Sequence, residues 1–328
     1  MNKWFENPSK DGDVVISSRV RLARNFKKYP FPSENFPESE DVINTTRNSL
    51  SSLNFEYLSM KDADEITRSS MVARHLISPP FSKNSSGGIL YSPDESVSVM
   101  INEEDHLRIQ VLLSGNNLTE CYSLAEIIDD KISETNEYAF SERLGYLTKC
   151  PTNLGTGLRA SLMLHLPVLE RSGALSTITD SVSKIGLTVR GMYGEKSRSR
   201  AALYQLSNQV TLGISEQAAI DNLSAIANQI VQKELATREG LDKLVLQDSV
   251  YRALGTLRYA RLLSSEEMMN LISEVKLGVE MGILEDIAPS LPITLLIETQ
   301  AFSLQKVNGR MTPADRDVLR ASIIRERL

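Results

Sequence analysis

The chain is short of cysteine, histidine and tryptophan, with two, three and one of them among 328 residues. Cys121 and Cys150 cannot build a disulfide framework, and His75, His106 and His165 lie too far apart in sequence to read as a zinc motif. No resident metal is expected. Nothing approaches the roughly 18 uninterrupted apolar residues of a membrane helix, and the opening MNKWFENPSKDGD lacks the apolar segment of a signal peptide. A cytoplasmic protein away from the membrane is expected. Positive charge is also not in excess: Lys plus Arg number 36 against 42 for Asp plus Glu, a net charge of −6. A surface that coats nucleic acid needs the reverse balance, so any bound anion must sit in a local basic pocket. Finally there is no GxxxxGK[ST], no GxGxxG after a strand and no HRD or DFG pair. That excludes a P-loop enzyme and a eukaryote-type protein kinase.

What is present is ordinary globular composition, 41% hydrophobic and 24% charged. At 328 residues the chain exceeds what one core usually supports, so two units are expected. Residues 14–24, VVISSRVRLAR, read as a strand with Arg19 and Arg21 on one face. Residues 38–59 read as a helix, 78–88 as a loop, and 96–113 as a strand. In that strand Val97, Val99, Ile101, Leu107, Ile109, Val111 and Leu113 share a face opposite to Glu104, His106 and Arg108. A helix is expected over 118–140, a loop over KCPTNLGTG, a helix over LRASLMLHLPVLE until Pro167, and strands over 181–190 and 201–213. Beyond Ile214 the pattern is helical, with a capping box at Ser264-Ser-Glu-Glu and Thr312 before Pro313. We therefore expect an α+β unit over 1–245 and an all-helical unit over 246–328.

Five arginines fall beside turns and strand ends: Arg19, Arg21, Arg108, Arg159 and Arg190. Taken singly, each reads as a solvated surface residue. The segment CPTNLGTGLRASLM carries more, because a glycine-rich loop running into a helix offers free N–H groups and the positive dipole end to an anion, with Arg159 in the first turn. An ordinary loop is the alternative. Cys150 is either a small buried hydrophobe or, at a helix start among arginines, a thiolate. Glu103-Glu104-Asp105 alone reads as a solvated turn, and Glu195 as a loop charge. Arg316 and Arg320, four apart near a helix start, repel by about 0.2–0.5 kcal/mol, a cost that a bound anion removes.

Together the strings SSRVRLARN at 17–25, NEEDHLR at 102–108, CPTNLGTGLRASLM at 150–163, RGMYGE at 190–195 and NQVTLG at 208–213 resemble the ATP:guanido phosphotransferase family. Within it, they are most similar to the bacterial protein-arginine kinases of the McsB type. The resemblance implies a catalytic domain built on an antiparallel sheet flanked by helices, with ATP and Mg²⁺ as cofactors and the metal held through ATP phosphates. It implies nucleotide contacts from Ser17, Ser18, Arg19, Val20, Arg21, His75 and Arg108, then from Arg159, Ala160, Ser161, Leu162 and Met163. Arg190, Gly191, Met192, Tyr193, Gly194 and Glu195 complete the nucleotide set. Glu104 and Glu195 are implied to hold the guanidine, with Cys150 as a thiolate beside it. The C-terminal ADRDVLRASIIRERL is similar to an Arg-Asp-x-x-Arg-Ala element, which implies phosphoarginine binding by Arg316, Asp317 and Arg320.

Two departures select the subfamily: the helical C-terminal part that ends in this element, and the start of the chain. Phosphagen kinases carry a helical domain before the first arginine motif that closes over a small guanidino compound, whereas about 13 residues precede Val14 here. An uncovered pocket suits an arginine on a protein surface. The expected partners are therefore proteins with exposed arginine, including a stress-response transcriptional repressor, together with an activator protein, a Clp-type ATPase/protease and a second copy of the chain. A small-molecule guanidino kinase and a weakly active phosphoarginine-binding adaptor are the alternative readings.

Overall fold

The structure, a computed structural model, describes residues 2–6, 14–33, 36–192 and 199–328. Its strands are β1 (Val15–Arg24), β2 (Glu56–Ser59), β3 (Gly88–Tyr91), β4 (Val97–Ile101), β5 (Leu107–Ser114), β6 (Phe140–Ser141), β7 (Gly145–Tyr146), β8 (Leu158–His165), β9 (Leu187–Gly191) and β10 (Leu203–Asn208). Eight of them form one antiparallel sheet in the order β2-β3-β4-β5-β1-β8-β10-β9, and β6 pairs with β7. The helices are α1 (Ser39–Ser49), α2 (Glu65–Ala73), α3 (Leu118–Ser133), α4 (Pro167–Arg171), α5 (Leu175–Ser183), α6 (Glu216–Glu239), α7 (Lys243–Tyr259), α8 (Ser265–Glu280), α9 (Leu291–Glu298), α10 (Ala301–Asn308) and α11 (Pro313–Arg327). The expected α+β architecture with helices from 214 onward is what is found.

One sheet face is apolar because every second residue is. Val20 and Leu22 of β1, Ile109 and Val111 of β5, and Leu158, Ala160 and Leu162 of β8 are buried in one core with α3 and α6. A second core gathers α7, α8, α9 and α11 around Leu257, Met268, Ile272 and Leu295. It also takes in Trp4, Leu112 and Leu203, so the helical part rests against one end of the sheet. A buried ionic cluster lies at this contact: Arg238 of α6 meets Glu234 at 2.9 Å and Glu280 of α8 at 2.8 Å, and Glu234 accepts the Leu169 amide of α4 at 2.9 Å.

Several expectations need correction. The 96–113 segment is a hairpin rather than one strand: Asn102 turns at φ 61° and its amide bonds the His106 carbonyl at 2.8 Å. The five-residue turn preserves the apolar parity, since Val97 pairs with Val111 and Val99 with Ile109, but it removes Glu104 and His106 from the polar face. His106 is a core histidine, accepting from the Phe26 amide at 3.1 Å through Nδ1 and donating to the Pro30 carbonyl at 2.9 Å through Nε2. The expected helix over LRASLMLH is β8, inserted between β1 and β10. A short apolar run does not distinguish the two by periodicity, and Leu158, Ala160, Leu162 and Leu164 obey a period of two. Residues 38–59 split into α1 and β2, and 181–190 into the end of α5 and β9.

Candidate active site

The face of the sheet opposite the main core carries the arginines. Antiparallel register places paired residues on the same side, and Arg21 pairs with Arg159, Arg19 with Ser161, Ala23 with Arg108 and Arg190 with Gln205. All five expected arginines therefore project from one face. Arg21, Arg108 and Arg159 meet at a cleft of ≈ 110 Å³ whose remaining wall is Ala23, Glu104, Thr152, Asn153 and Gly157. Arg19 stands farther along, its guanidinium 3.1 Å from Gln205 Oε1 and 3.4 Å from Ser161 Oγ.

Among the described residues this face has little counter-charge. Burial and the neighbouring Arg159 and Arg108 push the Arg19 guanidinium down to about 10. Burial, then Arg19, Arg108 and Arg159, pushes Arg21 well below its ordinary value, and burial with Arg190 and Arg108 lowers Arg159. The buried Nε–H of Arg21 and of Arg159 has no acceptor among the described residues. Among the described residues only Arg108 of the five is ion-paired, with Glu103 at 2.7 Å and Glu104 at 3.7 Å. Such an arrangement is complementary to a polyanion with several oxygens, for which the planar guanidinium fork is suited.

The acidic turn and the cysteine loop are bolted together. Asp105 Oδ1 accepts from Asn25 Nδ2 and from the Lys149 amide, each at 2.7 Å, and Asn25 Oδ1 accepts the His106 amide at 2.8 Å. Glu104 and Cys150 are the chain neighbours of the two residues so joined. Glu103 turns away, accepting from Ser78 Oγ and pairing with Arg108, while Glu104 lines the cleft. Cys150 precedes a 3₁₀ turn at Pro151–Asn153, with Sγ 3.0 Å from Thr152 Oγ1. The expected loop-to-helix anion site is absent, because the segment after Gly157 is a strand; Arg159 reaches the cleft from mid-sheet rather than from a helix start. Glycine is required here: at Gly155 (φ 108°) a β-carbon would lie 2.2 Å from the Thr211 carbonyl oxygen.

His75 also falls on this face, at φ 65°, beside Arg19 in a recess with Ser17, Ser161, Met163 and Met192. Burial and Arg19 press its imidazole down to about 4, so it is neutral at physiological pH. Val20, Ala160 and Leu162 face the core, and Ser18 Oγ donates to the Gly115 carbonyl at 2.7 Å. Arg190 is at the exposed edge strand β9, followed by Gly191. Tyr193, Gly194 and Glu195 lie outside the described residues. Reading the sequence did not single out Asn25, Asp105, Thr152 or Gln205. Asn25, Asp105 and Thr152 do stand inside the recognised strings, whereas Gln205 carries no local signal.

Comparison with known proteins follows this geometry. Residues 38–237 match the model of the ATP:guanido phosphotransferase C-terminal catalytic domain. The chain belongs to the ATP:guanido phosphotransferase family. Residues 243–328 match the protein-arginine kinase McsB C-terminal domain. The chain is similar to the protein-arginine kinase of Desulforamulus reducens, 45% identical over 340 residues that cover 100% of this chain and 95% of that one. It is likewise similar to that of Bacillus subtilis, 40% identical over 339 residues, 100% of this chain and 93% of that one. Among solved structures, the duplicated taurocyamine kinase of Schistosoma mansoni with bound transition-state-analogue components superposes with a TM-score of 0.60 at 26% identity, over 73% of this chain and 37% of that chain. A lombricine kinase shares the fold, with a TM-score of 0.60 over 72% of each chain.

In this guanido phosphotransferase the C-terminal arginine element sits on α11, whose start is a capping box between Thr312 and Asp315. Arg320 is 1% exposed. Its guanidinium donates to the carbonyls of Thr299 at 2.9 Å and Leu263 at 2.7 Å and to Asp317 Oδ1 at 2.6 Å. Arg316, half-buried, forms no ion pair among the described residues, so the two arginines differ: Arg320 anchors the helix and Arg316 does not. No helix of the described residues is long and apolar enough to cross a membrane.

Proposed function

We propose that the protein transfers the γ-phosphoryl group of ATP to a guanidino nitrogen of arginine residues in other proteins. The observation that supports this most is a single sheet face on which five arginines gather beside Glu104, only Arg108 of them ion-paired among the described residues. Phosphoryl transfer needs positioning and stabilisation of charge on the equatorial oxygens, and the fan of Arg19, Arg21, Arg108, Arg159 and Arg190 supplies both. Mg²⁺ enters on the phosphate oxygens of ATP. A guanidinium lies about nine pKa units above an unperturbed glutamate, roughly 12 kcal/mol, so prior deprotonation is too costly. Glu104 and Glu195 instead hold the guanidinium in line through paired hydrogen bonds, and a carboxylate takes the proton as the N–P bond forms, the bond from Pγ to the bridging oxygen breaks and ADP leaves. Cys150 stands beside the guanidine and helps to position it.

The proposal extends to the rest of the chain. It divides into a catalytic unit through 245 and a helical unit from 246 that mediates homodimerisation and binds phosphoarginine on its Arg316, Asp317 and Arg320 element, Arg316 meeting the ligand and buried Arg320 holding the helix in place. The modified proteins are handed to a Clp-type protease and include a stress-response repressor, with an activator protein as a further partner, all in the cytoplasm. The deciding assay incubates the protein with MgATP and either free arginine or a folded arginine-rich protein, then measures acid-labile phosphate. Label is expected on the protein. Label on free arginine alone would make this a small-molecule guanidino kinase, and absence of label with retained phosphoarginine binding would make it an adaptor.

A further inference from the structure

The turn that carries Glu104 borders two cavities. Glu104 lines the arginine cleft, whereas Asn102 and Glu103 line a separate and larger pocket of ≈ 370 Å³. Lys149, the chain neighbour of Cys150, lines that pocket too, together with Lys83. Glu104 and Cys150 thus each have a neighbour in its wall, and the Asp105 bond to the Lys149 amide at 2.7 Å holds the two segments side by side. The charge of the pocket has one sign. Glu103 is committed to Arg108 at 2.7 Å and to Ser78 Oγ, whereas neither lysine forms an ion pair among the described residues. The Lys149 ammonium donates to the Pro32 carbonyl at 2.8 Å and keeps two protons for another acceptor. Asn102 is 2% exposed, and its Nδ2 donates to the Ser39 carbonyl at 3.0 Å and to Ser39 Oγ at 3.1 Å. Those bonds fix which way the amide faces and leave Oδ1 buried with no donor among the described residues. A buried amide oxygen ordinarily has a donor, so an orphan one in a pocket wall points to an absent N–H or O–H.

We infer that this pocket is a subsite for the protein substrate: it takes the side chain of a glutamate close in sequence to the target arginine. Lys83 and Lys149 meet the carboxylate, and Asn102 Oδ1 accepts a backbone N–H of the same segment. The subsite rests on the proposed protein-arginine kinase activity and adds to it a choice among arginines. An arginine whose guanidine lies beside Glu104 and Cys150 keeps its backbone a side chain's length away from them. A neighbouring side chain must span a similar distance to enter the pocket, and glutamate reaches one methylene farther than aspartate. The volume lies within the roughly 300–1,000 Å³ of ordinary ligand pockets, enough for a side chain and the backbone that bears it. Charge decides the chemical class. A lysine or arginine of the substrate would meet two uncompensated ammonium groups, whereas a carboxylate gains charge-assisted hydrogen bonds from them. A free inorganic anion would satisfy the lysines but could not donate to Asn102; a peptide carries the carboxylate and the N–H together.

The full chain is assayed with MgATP on a folded carrier protein that displays a single arginine in an exposed loop. Glu, Gln or Lys is placed singly at each of the two positions before and after that arginine. At one of these positions Glu is expected to lower KM roughly threefold to tenfold relative to Gln, and Lys to raise it, at unchanged kcat. High salt should flatten the difference, since the pocket is open to solvent. Lys83→Glu should reverse the order at that position, so that Lys is preferred to Glu. Its kcat and KM on the Gln carrier should match the parent, which also reports that the variant is folded. Ser85→Glu adds a carboxylate to the same wall and should abolish the preference for Glu. A lysine with a merely structural role would not make the preference follow the sign of its charge. A KM indifferent to the flanking residue in an active parent, or an unaltered preference in both variants, overturns the subsite and leaves the kinase activity standing. A parent inactive on every carrier removes the kinase activity itself, and the subsite with it.

Discussion

Arg21 and Arg159 stand directly opposite one another across the β1–β8 ladder, on the open side of the sheet, and neither has a carboxylate partner among the described residues. Like charges in directly opposed positions destabilise a sheet by about 0.2–1 kcal/mol. The fold tolerates that cost where an anion would relieve it.

Arg21→Met keeps the apolar stem and removes the charge. We expect it to melt at or above the parent while losing ATP binding by more than tenfold, and ATP should raise the melting temperature of the parent but not of the variant. Thermal melts with and without nucleotide read both effects. A variant that melts lower and still binds ATP would mean that Arg21 is structural.

Glu104→Gln preserves shape and hydrogen bonding in the cleft but cannot accept the proton or balance the guanidinium. Turnover on a protein substrate should fall by roughly 10²–10⁴-fold with ATP affinity little changed. Glu195→Gln should do the same. Full phosphorylation by either variant would remove that carboxylate from the mechanism. Arg159→Lys should also fail, because a point charge does not reproduce the fork.

Much of this was legible in the chain itself, for identifiable reasons. The alternation in β1 announced Arg19 and Arg21 as neighbours on one face, and Thr312 with Pro313 announced the start of α11. β8 was not legible as a strand, because Leu158, Ala160, Leu162 and Leu164 fit either period and the choice was made by β1 and β10 on its two sides. The turn at 102–106 was hidden because its five residues leave the parity of the flanking strands intact. The Asn25–Asp105 bond was invisible for a different reason: it joins residues 80 positions apart and depends on the register of three segments.

The two arginines of α11 separate a structural role from a binding one. Arg320→Ala leaves the Thr299 and Leu263 carbonyls without their buried donor, and should destabilise the protein by about 2–4 kcal/mol. Arg316→Ala should leave the melt unchanged and abolish phosphoarginine binding. Calorimetric titration with phosphoarginine checks this; unaltered binding by Arg316→Ala would place the ligand elsewhere or nowhere on α11.

Acid should destabilise the fold through its histidines before its carboxylates titrate. His106 is buried, and burial pushes its imidazole down to about 4, although the Pro30 carbonyl and Asp105 oppose this. Its Nδ1 accepts from the Phe26 amide, a bond that exists only in the neutral ring. The unfolded chain takes up the proton near 6.5 while the folded one refuses it until about 4. Stability tied to His106 is therefore complete above pH 6.5 and is lost as pH falls from 6.5 toward 4, by roughly 3 kcal/mol. Burial lowers His75 and His165 as well, so the three losses share a direction. His106→Asn cannot gain charge; it should melt lower than the parent at pH 7.5 and lose less between pH 6.5 and 4. Parallel melting curves for the two proteins across that interval would show that His106 takes up its proton equally well folded and unfolded.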